Sequence, residues 1–159
     1  MRTRAFPAEV ARRKVGRRLL LSAGLGTIWG LATYWLLAAW RTIPIVSDNG
    51  WGTALVWSIG LVVLLALPTP GSGPAATGAT AATFWVTAVL GYYATYVALL
   101  ALGFGAQDTR LDLGDPGAWR SLWFLLKSSV AQWLAAGLVG GFVLGWVWGQ
   151  VTGRVRARA

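Results

Sequence analysis

Apolar residues fall into four long runs along the chain, and short stretches between and beyond them hold most of its charges. A helix needs about 20 apolar residues to cross the hydrocarbon core of a bilayer, which is about 30 Å thick. The four runs therefore predict four membrane-spanning helices, at residues 19–40, 51–67, 81–104 and 128–148. The expected fold is an all-α, polytopic membrane protein, a four-transmembrane-helix bundle over residues 19–149.

A further short helix is predicted ahead of the fourth span. Asp115 is a suitable N-cap, and Pro116 suits the first helical position, where its missing N–H needs no partner. One helix from Pro116 to Gly149 would be about 51 Å long, which is too long for a simple crossing. We therefore expect a break or bend near residues 127–129 and an interfacial helix over residues 116–126.

Positive charge is concentrated at the two ends of the chain. The net charge is +9, and basic residues dominate the segment 1–18 and the tail 150–159. Because basic segments stay in the cytoplasm, both termini are predicted to be cytoplasmic. Four spans agree with this, since an even number of crossings leaves both termini on the same side of the membrane. The predicted location is the inner membrane of a prokaryote, with several spans per chain. The residues expected to contact anionic lipids at the cytoplasmic face are Arg12, Arg13, Lys14, Arg17 and Arg18. This position accounts for the charges, so no nucleic-acid partner is expected.

Glycine recurs at every fourth residue in the last apolar run. A step of four residues returns to nearly the same helix face, and small residues let helices in lipid approach closely. Similar stripes occur in the first and third runs. The predicted helix-packing residues are Ser22, Gly26, Gly30, Gly91, Gly137, Gly141, Gly145 and Gly149. These faces meet either within the chain or, as in a self-associating glycine zipper, against another subunit.

Little in the chain suggests reaction chemistry. It has no cysteine and no histidine, which excludes thiolate zinc sites and nucleophiles built on those residues. None of the four predicted spans contains a carboxylate, although membrane enzymes and coupled transporters usually keep an ionisable residue inside the bundle. Lys127 is the one charge inside an apolar stretch, and we expect it to snorkel to the outer interface. No enzyme activity, cofactor or metal site is expected.

Tryptophan is abundant, with 11 residues in the chain. Five of them lie near the ends of predicted spans and are expected to form aromatic belts at the membrane interfaces, namely Trp40, Trp51, Trp85, Trp146 and Trp148. Three others lie deeper and are expected to pack between helices or to border a lipid groove, namely Trp29, Trp35 and Trp57.

Tyr92 and Tyr96 share one face of the third predicted span, whereas Tyr93 points elsewhere. Buried phenols usually find a hydrogen-bond partner, so these residues either join helices or form a polar lining for a ligand.

Two functions follow from these patterns. The first is an accessory, assembly or structural subunit that acts through small-residue helix packing. The alternative is a small oligomeric transporter or channel for an uncharged or apolar solute. The expected partners are the lipid bilayer and either another membrane protein or further copies of the chain.

Overall fold

The protein is helical in nearly all of the chain that its structure describes. The computed structural model describes residues 7–39, 50–66, 73–102 and 115–156. Of these residues 97% are helical and none lies in a strand, which confirms the predicted all-α class. In chain order the elements are α1 (Pro7–Ala39), α2 (Gly50–Ala66), α3 (Pro74–Ala101), α4 (Pro116–Leu125), a π-helical segment (Leu126–Val130) and α5 (Ala131–Arg156).

Proline begins α1, α3 and α4. Pro7, Pro74 and Pro116 occupy the first helical position, where the fixed φ of proline suits the helix and no N–H is needed. At α4 the Asp115 carboxylate accepts a hydrogen bond of 2.8 Å from the Gly117 backbone N–H. This is the N-cap that the sequence predicts.

Two helices extend further than the sequence predicts. α1 begins at Pro7, so the basic residues of segment 1–18 that follow Pro7 lie on the same helix as the first apolar run. Arginine and lysine are good helix formers, and nothing at their positions stops the helix. α5 continues through residues 150–156, where a tail was expected, and Gly153 does not end it.

The predicted break before the fourth span takes the form of a π-helical turn over residues 126–130. The chain stays helical from Pro116 to Arg156 without an intervening loop. A π turn adds one residue to the helical register, and such turns are frequent at functional sites. Beside it the Ser128 hydroxyl donates a hydrogen bond of 2.8 Å to the Phe124 carbonyl.

α3 is the central helix, and α1 packs along one of its sides. The Ser22 hydroxyl of α1 donates a hydrogen bond to the Thr80 carbonyl of α3. Two turns further along both helices, Gly30 lies directly against the Ala88 carbonyl. Contacts therefore advance in the same direction on the two helices, so α1 and α3 are parallel.

α5 packs along α3 in the opposite direction. Gly137, near the start of α5, lies against the Trp85 ring, and Gly149, near its end, lies against Pro74. The basic start of α1 and the basic end of α5 therefore both lie toward the first residue of α3.

α2 has fewer contacts and packs on α1, α3 and α5. Two indoles tie it to its neighbours. The Trp29 Nε1 donates a hydrogen bond of 3.2 Å to the Val56 carbonyl, and the Trp148 Nε1 donates one of 3.0 Å to the Leu65 carbonyl. Gly60 of α2 makes room for the Trp29 ring. Trp29 therefore packs between helices, which is one of the two positions predicted for it.

The apolar core lies between α2 and α3, and partly buried residues of α1 and α5 pack against it. Its buried residues are Leu61, Leu64, Ala81, Phe84, Trp85 and Val89. Trp85, expected in an aromatic belt at the start of the third span, is only 9% exposed. That prediction is wrong because α3 begins at Pro74, which places Trp85 well inside the helix, and because Gly137 leaves space for its ring.

Two helical stretches of the described chain are long and apolar enough to cross a membrane, Pro74–Leu99 and Pro116–Val155. They correspond to the third and fourth predicted spans, the fourth being continuous with the short helix before it. The spans predicted at 19–40 and 51–67 stay predictions. Among the belt tryptophans, Trp40 lies outside the described residues.

Candidate functional site

The regularly spaced glycines of α5 face α3 of the same chain, and all four are buried. A Cβ added to Gly145 would lie 2.7 Å from the Thr77 carbonyl oxygen and 3.0 Å from the Cα of Gly78. A Cβ added to Gly149 would lie 2.8 Å from the Cα of Pro74. These distances leave no room for a side chain. The glycine face therefore packs within the chain, which is one of the two arrangements that the spacing allows.

The small-residue face of α1 lies against the other side of α3. Ser22 is only 1% exposed, and its hydroxyl donates a hydrogen bond of 2.7 Å to the Thr80 carbonyl. Gly26 lies directly against the α3 backbone. Gly91 is the matching position on α3, since a Cβ there would lie 2.8 Å from the Thr27 carbonyl oxygen. Close backbone contacts therefore hold α3 from both sides.

Position on the helix face, not the presence of glycine alone, decides which glycines make contacts. Gly140, on α5 but outside the four-residue stripe, has no atom of a neighbouring helix within 4 Å of an added Cβ. Gly60 of α2, which is not among the predicted packing residues, is buried against the Trp29 ring.

The candidate ligand residues Tyr92 and Tyr96 face α1. Their ring centroids lie 5.6 Å and 6.4 Å from that of Tyr34. The Tyr93 ring centroid lies 5.3 Å from that of Tyr92 in a T-shaped arrangement, but Tyr93 also lines a groove on a different side of α3. The structure thus groups Tyr92 and Tyr96 with Tyr34 at the α1–α3 contact through aromatic packing, and their role as a ligand lining stays a prediction.

An open groove of about 760 Å³ lies between α3 and the junction of α4 with α5. We call it the junction groove. Small-molecule sites typically occupy about 300–1,000 Å³, so its size suits a ligand. Its surface is almost wholly apolar, and of the described residues that line it only Lys127 is charged. The lining residues are Leu90, Tyr93, Ala94, Val97 and Ala98 on α3, facing Trp123, Lys127, Val130, Ala131 and Leu134.

The π-helical segment forms part of the wall of the junction groove. The Tyr93 phenol shares a hydrogen bond with the Ser129 side chain, which fastens the π-helical segment to α3. Lys127 lies in the same segment and is exposed. Within the described residues it makes no ion pair. The groove therefore combines apolar walls with an ammonium group. None of the described residues places a carboxylate beside that group.

A smaller groove of about 390 Å³ lies elsewhere between α3 and α5, beside Val86 and Phe142. Its lining consists of apolar and threonine side chains. Unlike the junction groove, it has no charged residue among the described residues of its lining.

The basic residues predicted to contact lipid lie in the first turns of α1, ahead of the apolar run. Arg13, Lys14 and Arg17 are exposed and Arg18 is half-buried. Arg12 belongs to α1, and its side chain lies outside the described residues. Their contact with anionic lipid stays a prediction.

The sequence pattern does not identify Tyr93 or Lys127 as the wall of a groove. Tyr93 does not share the helix face of Tyr92 and Tyr96, and Lys127 is predicted to snorkel to the interface. A usable signal was nevertheless present. A lysine followed by two serines, Ser128 and Ser129, interrupts an otherwise apolar run, and the π turn forms there.

Comparison with family models, with curated proteins and with solved structures finds no match to this chain. The class therefore rests on the structure alone. In the described residues the protein is all-helical and has two helices apolar enough to span a membrane.

Proposed function

We propose that the chain is a multi-pass inner-membrane protein with four spans, α1, α2, α3 and α5, and with both termini in the cytoplasm. The direction of the helices supports this. The start of α1 and the end of α5 lie toward the same end of α3, and both carry basic residues, Arg13 to Arg18 on α1 and Arg154 on α5. Basic segments favour the cytoplasmic side, so one orientation suits both ends.

We infer that its role is that of an accessory, assembly or structural subunit of a membrane complex. The outward face of α5 is the observation that carries this inference. Because its glycines pack on α3, α5 exposes large apolar side chains on the opposite side, with Val139 67% and Val143 50% exposed. Helices in lipid associate by close packing, and this face is available to a helix of another membrane protein.

Photo-crosslinking in living cells tests the subunit role. A photoreactive amino acid at Val139 or Val143 should give an adduct of one defined mass that contains a different membrane protein. The same amino acid at Leu55, which is 61% exposed on α2, is the matched control and should not give that adduct. Adducts that contain only copies of this chain would contradict the subunit role and favour the oligomeric transporter or channel.

Labelling of single cysteines tests the orientation, because the chain has no cysteine of its own. Gly16 and Gly153 are exposed and have open space for a side chain. Thr109 lies outside the described residues, in the predicted outer loop. An impermeant thiol reagent added to intact cells should label Thr109→Cys and neither Gly16→Cys nor Gly153→Cys. Labelling of either terminal position would overturn the orientation.

A further inference from the structure

The junction groove has the two features of a site for an amphiphile, a long apolar surface and one charged group. We propose that it binds an anionic phospholipid, with an acyl chain between α3 and α5 and the phosphate against the Lys127 ammonium. This site would differ from the predicted lipid contacts of the basic start of α1, because it is a groove between helices with a defined lining.

The apolar walls suit an acyl chain. Ala94 and Ala98 on α3 face Ala131 on the other side, and these short side chains leave the groove its width. Leu90 and Leu134 line it as well. A flexible hydrocarbon chain can fill such a space without any polar group of its own.

The charge decides which amphiphile is favoured. Among the described residues of the lining Lys127 is the only charged one, and it makes no ion pair with any of the residues that the structure describes. An ammonium attracts a phosphate as a point charge, so a lipid whose headgroup carries a net negative charge is favoured over a zwitterionic one. Trp123, on the same wall, is 68% exposed, as suits an indole at headgroup depth.

The segment that carries Lys127 is joined to α3 through Ser129, which is hydrogen-bonded to Tyr93. The Ser128 hydroxyl bonds within its own helical stretch, to the Phe124 carbonyl. The Ser129 contact holds the backbone near the ammonium beside the groove. A second copy of this chain is a poorer occupant, because its predicted spans contain no carboxylate to meet Lys127.

Native mass spectrometry of the full chain in mild detergent tests this inference. The protein is mixed with equal amounts of phosphatidylglycerol and phosphatidylcholine, and the bound fraction of each is measured. Wild type should retain phosphatidylglycerol preferentially. Lys127→Gln should lower phosphatidylglycerol retention about fivefold and leave phosphatidylcholine unchanged. Lys127→Arg should keep most of the preference, and Ala94→Phe, which fills the groove, should lower retention of both lipids.

Arg120→Gln is the matched control, since Arg120 is an exposed cation of α4 that does not line the groove. It should keep the wild-type retention. Equal losses in the Arg120 and Lys127 variants would show general surface attraction and overturn the site, as would unchanged retention in either Lys127→Gln or Ala94→Phe. Far-ultraviolet circular dichroism verifies that each variant is folded. The measurement uses the purified chain alone, so its outcome is independent of the proposed subunit role.

Discussion

α3 meets the last helical stretch of the chain in two different ways along its length. In its first half the two backbones are in contact, and a Cβ added to Gly141 would lie 3.1 Å from the Cα of Ala82. In its second half, from Leu90 onward, the junction groove of about 760 Å³ separates the same two partners. Leu134 and Trp123 face the second half of α3 across the groove, whereas glycines of α5 face its first half.

The contrast shows what sets the distance between helices in this protein. Hydrophobic burial does not drive helices together in lipid, so close contact depends on small residues that let backbones approach. The glycine stripe begins at Gly137, and most of the residues before it that face α3 are bulky, Ala131 being the exception. We therefore expect the closed half to be sensitive to added volume and the open half to tolerate it.

The largest effect is expected from Gly145→Leu in the closed half. The added side chain would meet the Thr77 carbonyl and the Cα of Gly78, which are backbone atoms that cannot rotate away. Overpacking of this kind costs about 3 kcal/mol, which outweighs the gain of nearly 1 kcal/mol in helix propensity. The melting temperature in detergent should fall clearly below that of wild type.

Gly140→Leu is the control for that experiment. It makes the same chemical change on the same helix, at a position with no neighbouring atom within 4 Å of an added Cβ. Its stability should equal or slightly exceed that of wild type, because only the propensity changes. If Gly140→Leu and Gly145→Leu lose the same stability, close packing against α3 is not what the stripe provides.

The closed half is the part of the molecule that the sequence predicts best. Steps of four residues define a helix face without reference to the rest of the fold, so the glycines at 137–149 and the residues Ser22, Gly26 and Gly30 are found from spacing alone. The all-α class follows equally directly from the long apolar runs. Spacing does not state which helix a face meets, and the structure supplies α3 as the common partner.

The open half could not be predicted in the same way. The junction groove depends on the π turn, which changes the helical register, and on the antiparallel alignment that brings Tyr93 opposite Ser129. Neither is a periodic property of the sequence. The sequence misplaces Trp85 for a related reason, because the first turns of α3 are so rich in small and polar residues that they do not resemble part of an apolar run.

A smaller loss is expected from Ser22→Ala, which removes a polar contact of the closed half. The hydroxyl donates to the Thr80 carbonyl and is almost completely buried, so water cannot replace it. Hydrogen bonds between membrane helices contribute about 0.6 kcal/mol on average, and we expect that loss in unfolding by denaturant. Thr27→Ala is the control, since the exposed Thr27 hydroxyl bonds only within its own helix, to the Ala23 carbonyl. Equal losses in the two variants would contradict a specific contribution from the contact between helices.

The smallest loss is expected from Tyr93→Phe in the open half. This variant removes the hydrogen bond to Ser129 and keeps the ring that lines the groove. The bond joins helices, as that of Ser22 does, but it lies beside an open groove. Water or a lipid headgroup can therefore satisfy the Ser129 hydroxyl once the phenol is gone, which lowers the cost.

Unfolding of Tyr93→Phe by denaturant should therefore show a loss below the average of about 0.6 kcal/mol, and a smaller one than Ser22→Ala under the same conditions. The two variants each remove one hydroxyl that bonds to a neighbouring element, so the comparison isolates the surroundings of the bond. A larger loss in Tyr93→Phe than in Ser22→Ala would mean that the junction groove is closed to water and headgroups. The two halves of α3 would then differ in shape but not in their access to water and lipid headgroups. A lipid could not then reach Lys127 through the junction groove.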